Sequence, residues 1–154
     1  MNIAVGADHR GSDVSAHIAR HLGEQGHTVT IYGSLDGEPC DYPEAAYAVG
    51  TEVARGQADL GVLICGTGIG MSIAANKVRG VRAAVVHDEL TAHLARSHND
   101  ANVMCLSADL LGQRIMDKML ETFLTTEFEG GRHARRLAKI AAIEHGQSPA
   151  DVQA

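Results

Sequence analysis

Apolar and β-branched residues are gathered into five short runs, at 2–7, 28–32, 60–64, 83–86 and 102–106. The stretches that follow them repeat apolar positions every three or four residues, the period of a helix packed on one face. Val14, Ile18 and Leu22 mark one such face, Leu90 and Leu94 a second, and Leu111, Ile115, Met119 and Phe123 a third. Residues 45–55 also read as helix, and Leu137, Ile140 and Ala141 mark a last one after Gly130 and Gly131. Gly26 stands where a helix C-terminal glycine is expected, while 33–43 and 97–100 carry loop chemistry.

Strand runs alternating with helices predict parallel strands joined by right-handed crossovers. The expected fold is α/β, a Rossmann-like three-layer sandwich with a five-stranded parallel sheet and helices on both faces. No repeat or linker divides the chain, so 1–146 is expected to form a single domain and 147–154 a flexible tail. Ligands of such sheets bind at the carboxyl ends of the strands. The loops expected to converge there hold Asp8 and His9, the turn after Cys65, His87 and Asp88, and His98 and Asn99.

Composition narrows the class of partner. In 154 residues, 45% hydrophobic and 21% charged content suits a soluble globular domain, and no apolar run approaches the roughly 20 residues of a membrane span. No secretory pattern opens the chain, so a cytoplasmic location is expected. Cys40, Cys65 and Cys105 are odd in number and unrelated in spacing, which fits reduced thiols better than disulfides or a CxxC metal site. A net charge of −6 argues against nucleic acid as partner, so an anionic ligand needs a local basic cluster. One is present near the C-terminus, where Arg132 and Arg136 share one helix face and Arg135 and Lys139 another. Paired guanidinium groups suit a phosphate dianion. A solvated amphipathic helix is the other reading of that segment.

The densest candidate chemistry lies in LGVLICGTGIGMSIAANK, residues 60–77. An apolar run ends in Cys65, and Gly66, Gly68 and Gly70 form a turn whose free amides, with the helix start that follows, attract anionic or oxyanionic groups. Dinucleotide binding fits poorly: the spacing is GxGxG with Met71 where GxGxxG needs glycine, although Asp88 lies about 20 residues on. No Lys-Ser or Lys-Thr closes a P-loop. In the remaining functional reading the turn holds an oxyanion or polyol while Cys65 serves as base, because a helix N-terminus favours a thiolate. A small buried hydrophobe ending a core strand is the alternative for Cys65 and the default for Cys40 and Cys105. His17 and His21 have the spacing of a metal pair but lack the HExxH glutamate, and His87, Asp88, Glu89 and His93 read as a solvated helix start. No metal and no cofactor are expected. His9 and His98 adjoin expected strand ends and are candidates for ligand contact.

GADHRG at 6–11, DYP at 41–43, CGTGIGMSIAANK at 65–77, SHNDANV at 97–103 and EGGRH at 129–133 together resemble the ribose-5-phosphate isomerase B family, which also includes the galactose-6-phosphate isomerase subunits. The resemblance implies metal-free interconversion of D-ribose 5-phosphate and D-ribulose 5-phosphate through a cis-enediolate. It assigns Cys65 as base, the Gly66, Gly68 and Gly70 amides and the Thr67 hydroxyl as enediolate donors, and Asp8 and His98 as ring-opening groups. It assigns His9, Arg132 and Arg136 to phosphate, and Asn99 and Tyr42 to the sugar. It also implies a homodimer or homotetramer with the site between subunits. Met71 stands where another branch carries a glutamate base, which places the chain in the cysteine branch. Asp109 stands where many members carry a phosphate-binding arginine. That departure leaves open another substrate, such as allose 6-phosphate, galactose 6-phosphate, a tetrose phosphate or a free sugar. A nucleotide-binding module or dehydrogenase is the reading from another class.

Overall fold

The computed structural model describes residues 1–152 and contains one parallel five-stranded sheet with helices on both faces. The strands are β1 (Asn2–Ala7), β2 (Thr28–Gly33), β3 (Leu60–Cys65), β4 (Ala83–Val85) and β5 (Val103–Ser107), in the spatial order β2-β1-β3-β5-β4. The helices are α1 (Ser12–Glu24), α2 (Tyr42–Ala54), α3 (Ile69–Ala75), α4 (Glu89–Asn99), α5 (Gln113–Thr125) and α6 (Arg132–Glu144). The α/β expectation therefore holds in class and in strand number. Among the described residues no helix is long and apolar enough to cross a membrane.

The central strands are apolar along their whole length because both faces are covered. Ile3, Val5, Val62, Ile64, Met104 and Leu106 point into a core with Ile18 and Leu22 of α1, Ala92 and Ala95 of α4, and Met119, Leu120 and Phe123 of α5. The alternate positions Ala4, Leu63, Cys65, Val103 and Cys105 pack with Ala45, Val49 and Val53 of α2 and Met71 and Ala75 of α3. A slip of one residue in any central strand would exchange these two cores.

Two helix boundaries differ from expectation by three residues. Helix α2 begins at Tyr42, three residues before the expected start, because Pro43 occupies the first turn, where a missing N–H costs nothing. Residues Ser97–Asn99, expected as loop, form the last turn of α4, which ends at Asp100 in the left-handed conformation (φ 42°). Asp100 is anchored there by Arg82 Nη2 at 2.8 Å and Arg96 Nη1 at 2.9 Å. In the expected tail, Pro149–Asp151 forms a 3₁₀ turn capped by Ser148, while Gln153 and Ala154 lie outside the described residues.

Phe123 is fully buried between α5 and the sheet, with the Arg96 guanidinium 5.6 Å from its ring centroid. Phe123→Ala should lower the unfolding free energy by about 3–5 kcal/mol, read as an earlier urea midpoint.

Candidate active site

The strand order reverses between β1 and β3, since β1 leads through α1 to β2 on one side and β3 lies on the other. Helix α1 covers one face and α3 the opposite face, so a crevice opens above the carboxyl ends of these two neighbouring strands. Asp8 enters it from β1 and Cys65 from β3. Asp8 is buried, and its Oδ1 accepts the N–H groups of Arg10 at 2.9 Å and Gly11 at 3.1 Å, which tightens the turn into α1. Its Oδ2 meets no protein donor among the described residues.

Cys65 is 5% exposed, and its sulfur accepts the Gly68 N–H at 3.1 Å. Gly68 adopts φ 76°, a conformation costly for other residues, and this aims its amide back at the sulfur. A thiolate accepts such a bond more strongly than a thiol does. One of the four expected enediolate donors is therefore engaged with the sulfur. The Gly70 N–H lies in the first turn of α3, where helical amides lack an intrahelical partner. Thr67 Oγ1 accepts the Ile69 N–H at 3.3 Å, which leaves its hydroxyl proton available to donate. The Tyr42 ring lies over Gly70, so close that a Cβ there would meet its Cζ at 2.8 Å. His9 is exposed beside a hollow of about 370 Å³ that it shares with Pro39, Cys40, Asp41 and Glu44, and its Nδ1 lies 3.4 Å from the Cys40 carbonyl.

The segment after β5 completes this end. Ala108 N–H donates to the Cys65 carbonyl at 2.9 Å, and the Gly66 carbonyl accepts from Ser107 Oγ at 2.6 Å and from Asp109 N–H at 3.2 Å. Above Gly66, Arg10 reaches from the β1 loop to Asp109, donating from Nε at 3.1 Å and from Nη2 at 2.7 Å to the same carboxylate oxygen. The Asp109 carboxylate alone would repel an anion, and the guanidinium offsets that charge. Arg10 is not among the residues the family resemblance assigns, and its place beside His9 in GADHRG is its only signal in the sequence.

Four of the expected site residues lie elsewhere, which corrects the convergence read from the sequence. His98 and Asn99 end α4 and so precede β5, and a parallel sheet places that end opposite the Cys65 turn. The length of β5, about 13 Å or more, intervenes. Arg132 and Arg136 begin α6 at the same amino end, where Glu129 N–H donates to the Ser97 carbonyl and the His98 and His133 rings stack at 4.1 Å. His87 and Asp88 follow the edge strand β4, separated from β3 by β5. Asp88 caps α4, and the N–H of Thr91, 2.7 Å from its Oδ1, holds the carboxyl below the usual carboxylate range. His17 is bound to Asp117 at 2.7 Å, clasping α1 to α5.

Residues 3–140 match the family described as Ribose/Galactose Isomerase. The chain belongs to that family. It is 43% identical to ribose-5-phosphate isomerase B of Escherichia coli over 142 residues, 92% of this chain and 95% of that one. The solved structure of the Clostridium thermocellum ribose-5-phosphate isomerase B is similar with a TM-score of 0.94 at 42% identity, covering 95% of this chain and 99% of that one. That of the Mycoplasma genitalium enzyme, solved with bound ribulose-5-phosphate, is similar with a TM-score of 0.86 at 42% identity, covering 94% and 96%.

Within this ribose/galactose isomerase fold the two neighbouring cysteines differ sharply. Cys105 lies in mid-strand beside Leu63, and burial first, then the nearby Cys65, pushes its thiol far above the ordinary value. It is an inert core side chain, whereas Cys65 meets a backbone donor at the crevice. At the amino end, Glu129 Oε2 lies 3.8 Å from His98 Nε2 and 3.6 Å from His133 Nε2, and three potential ligand atoms fall within 4.8 Å of one another. The two rings are nearly parallel, at 11°, and Arg132 Nε donates to His133 Nε2 at 3.3 Å. Parallel imidazoles do not aim their lone pairs at a common centre, so the set suits an electrostatic contact with the Glu129 carboxylate better than a cation.

His133 is buried, and burial, followed by the charges of His98 and Arg132, holds its pKa below the ordinary 6.5. The unfolded chain therefore takes up a proton that the folded chain resists. The stability contributed by neutral His133 is complete above about pH 6.5 and is lost as pH falls through the folded value. Replacing His133 with Asn should flatten the decline in urea midpoint between about pH 7 and pH 5.

Proposed function

We propose that this chain is a cytoplasmic aldose-ketose isomerase that interconverts D-ribose 5-phosphate and D-ribulose 5-phosphate, acting as a homo-oligomer whose sites are shared between copies. The observation that carries the reading is the whole-length likeness to ribose-5-phosphate isomerases B. The thiol at the switch-point crevice supports it by supplying a base where such a sheet binds its ligand.

In this reading the Cys65 thiolate removes the proton from C2 of the open-chain aldose and returns it to C1. A second proton moves from the C2 hydroxyl to O1, so that aldose and ketose differ only in proton positions. The Gly66 and Gly70 amides and the Thr67 hydroxyl stabilise the charge that develops on the enediolate oxygen, while Gly68 steadies the base. Asp8 assists opening of the furanose ring through its free carboxylate oxygen. Tyr42 contacts the sugar, and His9 contacts the phosphate.

His98, Asn99, Arg132 and Arg136 lie too far from Cys65 to serve the same chain's crevice, and this separation favours their contribution to a second copy. Two apolar surfaces support such pairing. Ile69 and Ile73 expose one face of α3 at the rim of the crevice, and a groove of about 600 Å³ beside edge strand β4 is lined by Leu94, Ile140 and Ile143 together with Asn99. Each is the kind of patch that a closed two-fold assembly buries.

Cys65→Ala should lower kcat by about 10²–10⁴-fold while substrate still binds, and normal turnover in that variant would refute the mechanism. Sharing between copies has its own signature. Mixing inactive Cys65→Ala with inactive His98→Ala and allowing subunits to exchange should regenerate about a quarter of wild-type activity, since half of the pairs are mixed and each holds one intact site. No recovery once subunits have exchanged would refute the shared site. Asp109 is the observation that favours a different sugar phosphate as preferred substrate, and ranking tetrose, pentose and hexose phosphates by kcat/KM decides between the two.

A further inference from the structure

We propose that Arg10, oriented by Asp109, is a substrate-binding residue that grips the phosphate dianion at the carboxyl end of the sheet. The inference rests on the isomerase reading for the identity of the phosphate's bearer.

The pair spans the crevice. Arg10 leaves the β1 loop two residues after Asp8, Asp109 leaves the β5 segment, and they meet directly above Gly66, the residue after Cys65. A Cβ on Gly66 would stand 2.9 Å from the Asp109 carboxylate and 3.0 Å from Arg10 Nε, so only glycine lets the pair close over the turn. Asp109 is itself fixed, because its N–H is bonded to the Gly66 carbonyl.

Its chemistry is asymmetric. Asp109 takes the side edge of the guanidinium, Nε and Nη2, through one oxygen. The end-on edge, formed by Nη1 and the second N–H of Nη2, meets no protein acceptor among the described residues. That edge presents two parallel N–H donors, the geometry that binds phosphate oxygens bidentately. The Arg10 side chain is 57% exposed and that of Asp109 39%, so a pair kept only for stability would contribute little. Orientation is what Asp109 supplies: a flexible arginine is held in one place before an anion arrives. His9, which the isomerase reading assigns to the phosphate, immediately precedes Arg10 in the loop after β1, which places the two at one end of the crevice.

The test separates this role from the reaction itself. Arg10→Ala should raise KM for ribose 5-phosphate about 10- to 100-fold with kcat changed by less than about threefold, and should weaken inorganic phosphate in parallel, measured both as a competitive inhibitor and by calorimetry. Its melting temperature should stay within about 2 °C of wild type. Asp109→Asn should raise KM by a smaller factor, below roughly tenfold, because the guanidinium is kept but no longer held. In the double variant Arg10→Ala with Asp109→Arg, a guanidinium supplied from the opposite side of Gly66 should recover most of the lost phosphate affinity. Unchanged KM and phosphate affinity in Arg10→Ala would overturn the proposal. So would a fall in kcat with phosphate affinity intact, which would place Arg10 at the reacting carbons. Calorimetry with inorganic phosphate needs no turnover, so if wild type failed to isomerise ribose 5-phosphate, the isomerase reading would fall while the role of Arg10 was still decided.

Discussion

The hold of the Ser107–Asp109 segment on the backbone of Cys65 and Gly66 is the constraint from which the site follows. Three hydrogen bonds, from Ala108 N–H to the Cys65 carbonyl and from Ser107 Oγ and Asp109 N–H to the Gly66 carbonyl, extend the β3–β5 ladder one step past the strands. They fix where the glycine turn begins, and with it the direction in which the Gly68 amide meets the sulfur. They also deliver Asp109 to the position where Arg10 can reach it. Loss of this hold would loosen the glycine turn beside the thiol, which would then lack an aligned donor and a closed wall above it.

Sheet polarity imposes the second constraint. In a parallel sheet every strand begins at one end and finishes at the other, so side chains before β5 and side chains after β3 cannot meet within a chain of this size. The amino end is nevertheless as well built as the carboxyl end. Arg82 and Arg96 fasten Asp100, which ends α4 and holds His98 in place, while Gly130 and Gly131 turn the chain so that His133 stacks on His98. Such order at opposite ends of the sheet is the physical ground for the shared-site reading.

The cysteines and histidines show how place decides chemistry. Cys65 and Cys105 occupy neighbouring strands and the same sheet face, yet one ends its strand against a freed amide and the other is enclosed in mid-strand. His17 clasps two helices through Asp117, burial and adjoining positive charge lower the pKa of His133, and His9 stands open at the crevice. Identical side chains thus serve packing, positioning or binding according to the dielectric and the partners around them.

The sequence by itself determined the class of fold, because apolar runs of strand length alternating with helical periodicity admit few arrangements other than a covered parallel sheet. It also exposed the thiol and its glycine turn, since Gly68 and its neighbours announce backbone geometry directly, and five ordered motifs tied the chain to its family. Tertiary structure alone decided which distant side chains touch. Chain order already puts His98 and Asn99 before β5, at its amino end, but the stacking of His98 on His133 and the helix end at Asp100 were hidden in it. The Arg10–Asp109 pair was equally hidden, because its members lie 99 residues apart and meet only when β3 places Gly66 between their loops. Local pattern fixes what each segment becomes, and contacts between distant segments fix which side chains can act together.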